Sequence, residues 1–224
     1  LFVIEDNAQA LGSMYKFSSS EKQMAGTIGD ISTTSFFPSK NLGCYGDGGA
    51  IMTNSDNLAY KIRGLVNHGM YERYYHDEIG VNSRLDSIQA AILNVKLKYL
   101  NKYNNSRQES AKLYNEKFDN MELLETPFVE SDFDTHVYHQ YTLKVKNGMR
   151  DKLAEHLSKN NIPFGIYYPL GFHEQKAYKQ EFMSENDFPV TNLVKNEVIS
   201  LPMHTELSKR QITYITDTVS SFFE

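Results

Sequence analysis

Apolar and polar residues alternate along the chain in short blocks that suit strands and helices. The chain opens on an apolar run over 1–4, which predicts a buried strand of a parallel sheet, and residues 7–12 predict a helix or turn after it. β-Branched and aromatic residues over 31–37 predict a second strand, and Pro38 ends it because proline cannot donate to a strand ladder. Further elements predicted by the same patterns are a strand over 50–53 and a helix over 57–66.

A long helical pattern over 84–118 precedes the predicted domain boundary. Its apolar residues recur at helical spacing: Ile88, Ala91, Ile92, Val95 and Tyr99. The boundary is predicted within 121–134, which contains Pro127 and five acidic residues. Two domains are therefore expected, over 1–121 and 122–224.

Strand and helix patterns alternate beyond the boundary, which predicts a small α/β domain. Ser208 and Gln211 have the spacing of a capping box, which would open a last helix that runs through Phe223. The other elements predicted in this domain are strands over 138–145, 163–168 and 198–201 and a helix over 150–160.

Composition narrows the class of protein without identifying a function. The 224 residues are 40% hydrophobic and 23% charged, as in ordinary globular proteins, and the net charge is −5. Charges of both signs are interspersed, so no basic patch favours nucleic acid. No apolar run approaches the length of a membrane span.

Two further features of the sequence bear on where the protein works and on the extent of the chain. A single cysteine, Cys44, excludes an internal disulfide and favours a reducing, cytoplasmic location. The start of the chain has no basic region or cleavage site, so it does not resemble a signal peptide. Because the chain lacks an initiator methionine and opens inside an apolar run, we expect an N-terminal part to be missing.

Lys40 is the most informative candidate for chemistry. It follows the predicted strand over 31–37 and is flanked by hydroxyl-bearing and small residues. A lysine at the mouth of a sheet is partly desolvated, which makes its amine a usable nucleophile for a carbonyl group. The alternative is a solvated lysine in a surface loop.

Asp6 is the second candidate, because it closes the first predicted strand, where ligands of open α/β sheets bind. A carboxylate there can pair with a protonated pyridine nitrogen. Gln9, one helical turn later, could point at the same ligand. Asp6 and Gln9 also have the spacing of a capping box, and on spacing alone this local interpretation is favoured.

Four segments, in order over nearly the whole chain, resemble the DegT/DnrJ/EryC1/StrS sugar aminotransferases: VIEDNAQALGS, GDISTTSFFPSKNLGCYGDGGAIMTN, GVNSRLDSIQAAIL and ISLPMH. The resemblance implies the aspartate-aminotransferase fold (fold type I, α/β), with part of the large cofactor-binding domain over 1–121 and the small C-terminal domain over 122–224. It also implies pyridoxal 5′-phosphate as the cofactor and a homodimer with shared active sites.

The resemblance also implies roles for individual residues. Lys40 is expected to carry the cofactor covalently and to move protons, and Asp6 to pair with the pyridine nitrogen. Gln9 is expected to contact the ring hydroxyl, and Ser35 to bind the cofactor phosphate. Sugar dehydratases related to this family have histidine in place of the lysine, so Lys40 argues against that activity.

Within the family, the motifs around Lys40 and Arg84 look most like enzymes that aminate carbon 3 of a UDP-linked 3-keto-N-acetylglucosaminuronic acid for bacterial surface polysaccharide, including lipopolysaccharide, with glutamate as donor. In that subgroup, the residues that match Asn82 and Arg84 reach across the dimer, to the cofactor phosphate and the sugar carboxylate respectively. Locally, Asn82 or Ser83 could instead cap the next helix, and Arg84 could pair with Asp86 or Glu78.

Tyr167 and Tyr168 match a His-Tyr pair near the substrate of that subgroup, so Tyr167 departs from the pattern. His173 and Gln175 resemble a more widespread His-x-Gln feature of the family, although both could be ordinary structural side chains. Cys44 is expected to pack as a small hydrophobic residue.

Other candidate sites are unconvincing. The glycine-rich stretch 43–49 lacks the spacing of a dinucleotide fingerprint. His136 and His139 have no matched acid nearby, so no metal site is expected. Two alternatives to the uronic-acid enzyme stay open. The protein could aminate a different dTDP- or UDP-linked keto sugar, or the chain could be a catalytically incomplete fragment that acts only as a dimerising module.

Overall fold

The computed structural model describes residues 1–18, 21–129, 135–180 and 184–224. The described chain divides into two compact units, of which the first holds Leu1–Asn105 with 135–139 and the second holds the remainder. The division falls inside a helix, between residues 105 and 106, whereas the sequence predicts a boundary within 121–134. The assignment of 1–121 and 122–224 to a large and a small domain stays a prediction.

The first unit is built on a three-stranded sheet with two short hairpins and helices around it. Its strands in chain order are β1 Ile4–Asp6, β2 Met14–Lys16, β3 Lys22–Met24, β4 Ile31–Ser35, β5 Gly49–Met52, β6 Met70–Glu72 and β7 Tyr75–His76. Its helices are α1 Asp56–Leu65, α2 Ser87–Leu97 and the first part of α3 Leu100–Phe118. The main sheet has the order β1-β4-β5, with β1 parallel and β5 antiparallel to β4.

The predicted parallel pairing of β1 is confirmed, but the strand spans Ile4–Asp6 instead of 1–4, and the prediction that it is buried is wrong. Ile4 is 72% exposed, and Leu1 and Phe2 are exposed as well. The strand lies at one edge of the sheet, and no described element covers the face that Ile4 presents. An apolar run therefore identified the strand type correctly while giving the wrong degree of burial.

Polar residues on the buried face of β4 are satisfied by nearby backbone carbonyls. The Ser32 hydroxyl donates to the Gly26 carbonyl at 2.6 Å, and the Thr34 hydroxyl donates to the Asn7 carbonyl at 3.1 Å. Buried hydroxyls are costly without such partners, so these bonds allow a strand of Ile-Ser-Thr-Thr-Ser to form the centre of the sheet.

The Glu5 carboxylate fastens β1 to the loop that leads into β4. It accepts hydrogen bonds from the backbone N–H groups of Gly26, Ile28 and Gly29, at 2.7, 2.7 and 2.5 Å. Burial alone would raise the pKa of Glu5, but these three donors outweigh it and lower the pKa from its ordinary value. The charged form of Glu5 is therefore part of the folded structure.

A small apolar cluster holds the loop that follows β4. Leu42, Cys44, Leu93 and Leu100 are buried in it, and Leu11 and Phe36 pack against it. Cys44 is completely buried and packs as a small hydrophobic residue, as predicted. The chain just after Lys40 is therefore anchored in a core and does not extend freely from the sheet.

The second unit packs helices against a three-stranded antiparallel sheet in the order β10-β9-β8. Its strands are β8 Leu124–Glu125, β9 Tyr141–Val145 and β10 Val198–Leu201, and its helices besides the end of α3 are α4 Arg150–Lys159, α5 Pro189–Glu197 and α6 Lys209–Phe223. Its core contains Tyr114, Phe118, Tyr141, Leu143, Val145, Leu153, Leu157, Ile199 and Val219.

Two predictions for the second unit have different outcomes. The capping box of α6 is confirmed, since Ser208 Oγ accepts from Gln211 N at 3.3 Å and Gln211 Oε1 accepts from Ser208 N at 2.9 Å. The predicted strand over 163–168 is wrong, because only an isolated bridge between Gly165 and Ser200 forms there.

Within the described ranges, no helix combines the length and the apolar character needed to cross a membrane.

We predict that Glu5→Gln lowers the free energy of unfolding at neutral pH and makes this free energy less dependent on pH in the acid range. A carboxylate whose pKa is lowered in the folded state stabilises the protein at pH values above its ordinary pKa of 4.5. That stabilisation is lost as the pH falls through the lowered pKa. The free energy of unfolding of the wild type, measured by denaturant titration, should therefore approach that of the variant on acidification.

The matched control is Glu72→Gln, on an exposed strand position whose carboxylate has no hydrogen bond within the described residues. It should leave the pH dependence of unfolding unchanged. A constant difference between wild type and Glu5→Gln from neutral to acid pH would contradict the role of the three backbone donors.

Candidate active site

The carboxyl ends of β1 and β4 bring two of the predicted site residues to one edge of the sheet. Asp6 is the last residue of β1 and Ser35 the last residue of β4. The two strands are parallel, with Asp6 opposite Thr33, so Asp6 and Ser35 end their strands in the same direction. The carboxyl edge of a parallel pair is where open α/β sheets bind ligands.

Lys40 lies in the turn that follows this edge. Its backbone N–H donates to the Phe37 carbonyl at 2.9 Å, and the residue is half-buried. Within the described residues, its ammonium group forms no hydrogen bond and no ion pair. Lys40 as a whole is therefore partly shielded from solvent, and no described group competes with a ligand for its amine.

The turn that carries Lys40 requires glycine at its close. A Cβ atom on Gly43 would lie 2.4 Å from the Pro38 carbonyl oxygen and 2.8 Å from the Phe37 carbonyl oxygen, so no larger residue fits without a backbone shift. The Cys44 N–H then donates to the Phe36 carbonyl at 2.8 Å. The close approach of Gly43 to Pro38 and the hydrogen bond between Cys44 and Phe36 together fix the position of the turn that carries Lys40.

Asp6 uses one carboxylate oxygen locally. Its Oδ1 accepts from the Ala8 N–H at 3.0 Å, which is a turn contact two residues along the chain. No helix begins here, since turns occupy 8–12, so the capping-box interpretation of Asp6 and Gln9 is wrong. The second oxygen of Asp6 and the exposed Gln9 amide have no hydrogen bond within the described ranges.

The Ser35 side chain is hydrogen-bonded to the backbone two residues further along the chain. Ser35 Oγ accepts from the Phe37 N–H at 3.2 Å, which leaves the hydroxyl hydrogen to donate elsewhere. A hydroxyl donor at the end of β4 is chemically suited to an anionic oxygen such as a phosphate.

Asn82 and Arg84 bind each other. Arg84 Nε donates to Asn82 Oδ1 at 2.8 Å, and both residues are exposed. The local interpretations are wrong, because Asp86 is the residue at the N-cap of α2 and neither Asn82 nor Ser83 takes that position. In the described chain Arg84 has no ion pair with Asp86 or Glu78.

Arg84 also lines a cavity of about 560 Å³ within the first unit. Thr33 and Thr34 of β4 and Asp47 of the glycine-rich stretch line the same cavity. Because Asp6 pairs with Thr33 in the sheet, the wall of this cavity includes the strand position beside Asp6. The free end of the Arg84 guanidinium is therefore available to an anionic group.

Tyr167 and Tyr168 lie in the second unit, where their rings are 5.8 Å apart and both residues are exposed. They line a cavity of about 650 Å³ whose other walls include Phe172, Gln175 and Val190. Aromatic and aliphatic groups dominate this surface.

His173 is a packed structural histidine. It is 7% exposed, its ring stacks on Phe188 with centroids 4.4 Å apart, and its Nε2 is 3.2 Å from Asn192 Oδ1. Its neighbour Gln175 lines the cavity beside Tyr167. Of the His-x-Gln pair, Gln175 therefore borders a cavity, whereas His173 is buried in packing.

Several residues that the sequence did not single out support the candidate site. Glu5 anchors β1, Asp47 lines the cavity beside Arg84, and Asn41 is buried next to Lys40. Asn41 and Asp47 lie within the long motif that surrounds Lys40, so proximity in sequence was the available signal. The buried partner of Asn41, Asn104, is on α3, and nothing local to it marks it out.

The donors and acceptors at the sheet edge fit pyridoxal phosphate in chemical type. The Lys40 amine, which has no hydrogen bond within the described residues, can react with an aldehyde. The Asp6 oxygen that does not contact Ala8 can accept a hydrogen bond from a protonated pyridine nitrogen. The hydroxyl of Ser35 and the amide of Gln9 can donate to phosphate and phenolic oxygens. These four residues would hold the cofactor.

Several known proteins are similar to this chain over nearly its whole length. A "Pleiotropic regulatory protein" of Geobacillus stearothermophilus is 40% identical, over 100% of this chain and 58% of that protein. A UDP-N-acetyl-3-dehydro-alpha-D-glucosamine 3-aminotransferase of Acidithiobacillus ferrooxidans is 39% identical (98% and 56%), and a UDP-2-acetamido-2-deoxy-3-oxo-D-glucuronate aminotransferase of Pseudomonas aeruginosa is 40% identical (95% and 56%).

A solved structure of DesV from S. venezuelae, in complex with a ketimine intermediate, has a TM-score of 0.90 at 34% identity, covering 100% of this chain and 58% of that one. The chain thus spans a little over half the length of the relatives it matches. This likeness confirms the expected fold class, with the described residues forming part of the larger aminotransferase fold. A model of the DegT/DnrJ/EryC1/StrS aminotransferase family matches residues 1–220, and the chain belongs to that family.

Proposed function

We propose that the protein that contains this chain is a pyridoxal-phosphate-dependent aminotransferase that transfers an amino group from glutamate to a nucleotide-linked keto sugar. The observation that carries the proposal is the half-buried, uncommitted Lys40 immediately after the strand edge that Asp6 and Ser35 share. The family supplies the reaction class, because its members include transaminases of UDP- and dTDP-linked sugars.

The bound cofactor supplies an electron sink for the carbon from which the proton is removed. The Lys40 amine would hold the cofactor at its aldehyde, with loss of water, and as a free amine it would move a proton at the reacting carbon. The Asp6 carboxylate would hold the proton on the pyridine nitrogen. The Ser35 hydroxyl would donate to the phosphate, and the Gln9 amide would contact the ring hydroxyl.

The substrate we propose is a UDP-linked 3-keto-N-acetylglucosaminuronic acid, aminated at carbon 3. Identity does not choose between this acid and its neutral counterpart, since the relatives named for the two substrates are 40% and 39% identical. The residue that favours the acid is Arg84, whose guanidinium contacts Asn82 through Nε and keeps its outer nitrogens for a carboxylate. Tyr167 and Tyr168 would contact other parts of the nucleotide sugar.

We further propose a cytoplasmic homodimer with shared active sites, working in surface polysaccharide biosynthesis. Apolar residues on one side of α2 and just after it favour association, since Ile88, Val95 and Tyr99 are all exposed at helical spacing. In the dimer, Asn82 would approach the cofactor phosphate of the partner's site, and Arg84 the sugar carboxylate there.

The alternative function is that of a dimerising module without activity of its own. It is favoured by the exposed apolar residues Ile88, Val95 and Tyr99 on and just after α2. A module of this kind would retain the exposed apolar residues of α2 but would not depend on Lys40.

Replacement of Lys40 separates these two functions. We predict that Lys40→Ala reduces turnover of keto sugar with glutamate by several orders of magnitude, because both covalent attachment and proton transfer are lost. The matched control is Lys102→Ala, an exposed lysine on α3, which should retain wild-type turnover. Near-normal turnover by Lys40→Ala would show that another residue performs the chemistry.

Replacement of Arg84 tests the choice of a uronic acid. We predict that Arg84→Met lowers the preference for the acid over its neutral 6-hydroxy counterpart by about tenfold or more, as expected from the loss of about 1.5–3 kcal/mol of charge-assisted hydrogen bonding. The measurement is the ratio of kcat/KM for the two substrates.

Arg63→Met, an exposed arginine on α1, is the matched control for charge removal and should leave the ratio unchanged. An unchanged ratio in Arg84→Met would remove the residue-level support for a uronic-acid substrate while leaving the aminotransferase activity intact.

A further inference from the structure

A buried pair of amide side chains connects the two loops that carry Lys40 and Gln9. Asn41 Nδ2 donates to Asn104 Oδ1 at 2.7 Å, and Asn104 Nδ2 donates to the Leu11 carbonyl at 3.2 Å. Asn41 directly follows Lys40, and Leu11 lies two residues after Gln9. One side chain on α3 thus contacts both loops.

The pair is almost completely shielded from water. Asn41 is 7% exposed and Asn104 is 5% exposed. Asn41 Nδ2 has a second bond, to the Val137 carbonyl at 2.8 Å, so its two N–H groups are both used. Because hydrogen bonds are stronger in a low dielectric and unpaired buried amides are costly, the orientation of each amide is strongly determined.

The loop at Leu11 is shaped to admit Asn104. Gly12 has a φ of +88°, and a Cβ atom there would lie 2.6 Å from Asn104 Nδ2. Glycine therefore satisfies two constraints at once, a left-handed backbone and the close approach of the amide. The contact is built into the loop and does not arise from a chance surface approach.

We propose that Asn104 is a positioning residue that fixes the spacing between the Lys40 turn and the Gln9 loop, acting through Asn41 and Leu11. This inference rests on the proposed function, in which Lys40 and Gln9 hold two neighbouring groups of one cofactor, its aldehyde and its ring hydroxyl. Helix α3 is a rigid reference for both loops, so loss of the Asn104 amide removes a link that the two loops share. Small misplacements of reacting groups reduce the rate strongly.

The test compares Asn104→Leu with Asn105→Leu, a neighbouring asparagine of α3 that is exposed and has no side-chain hydrogen bond within the described residues. The first readout is hydrogen exchange followed by mass spectrometry on peptides that cover 8–13 and 38–44. We expect exchange in both peptides to accelerate about tenfold or more in Asn104→Leu, as for the loss of one buried hydrogen bond. Asn105→Leu should match the wild type. Unchanged protection in either peptide of Asn104→Leu overturns the proposal.

A second variant, Asn104→Asp, nearly preserves the shape and guards against a failure to fold. It keeps an acceptor for Asn41, and in its ionised form it cannot donate to the Leu11 carbonyl, so exchange is measured at alkaline pH, where a buried carboxyl group loses its proton. Exchange should therefore accelerate in 8–13 while 38–44 stays protected. Acceleration confined to 38–44, or in neither peptide, contradicts the proposed division of the two bonds.

The functional readouts are the pH midpoint of the visible absorbance of protein-bound pyridoxal phosphate and the separate values of kcat and KM. In Asn104→Leu we expect a shifted midpoint and a kcat lower by about 10- to 100-fold, with a smaller effect on KM. A loss of stability with an unshifted midpoint and normal kcat would assign Asn104 a merely structural role.

Different results would overturn the proposed aminotransferase function and the positioning role of Asn104. A wild-type protein that shows neither the visible band nor turnover overturns the proposed function, and with it the role of Asn104 in positioning catalytic groups. A wild-type protein with both, whose Asn104 variants keep wild-type exchange, midpoint and kcat, overturns the Asn104 proposal alone.

Discussion

The parallel pairing of β1 with β4 is the constraint on which the candidate site depends. It makes both strands end in the same direction, so that Asp6, Ser35 and the turn with Lys40 come to one edge of the sheet. Strand pairing alone would not hold such a short edge strand. The Glu5 carboxylate, with three backbone donors, ties β1 to the loop before β4 and thereby keeps Asp6 at this edge.

The site also depends on how the chain beyond β4 is folded back. Gly43 allows the turn after Pro38 to close, and Cys44 packs into the apolar cluster behind it. Asn104 links this turn to the loop at Leu11. Backbone packing therefore fixes the turn that carries Lys40, and the Lys40 amine has no hydrogen bond or ion pair among the described residues.

The sequence predicted the elements that have strong local signals. The residues around β4, the helix α1 and the Ser208 capping box fall where their patterns placed them, because periodicity and capping chemistry act over a few residues. The exposure of Ile4 and the absence of a strand over 163–168 were missed, since burial and strand pairing are decided by distant segments. The same reason explains why Lys40 could be proposed from its motif whereas Asn104, on a distant helix, could not.

The most direct test of the account is to locate the residue that binds the cofactor. The protein is incubated with pyridoxal phosphate, reduced with borohydride and digested, and the modified lysine is identified by mass spectrometry. We expect the reduced cofactor to be attached to Lys40, because its amine has no hydrogen bond or ion pair among the described residues and its turn follows the strand edge that Asp6 and Ser35 share. Modification spread over exposed lysines such as Lys102, with Lys40 unlabelled, would contradict it.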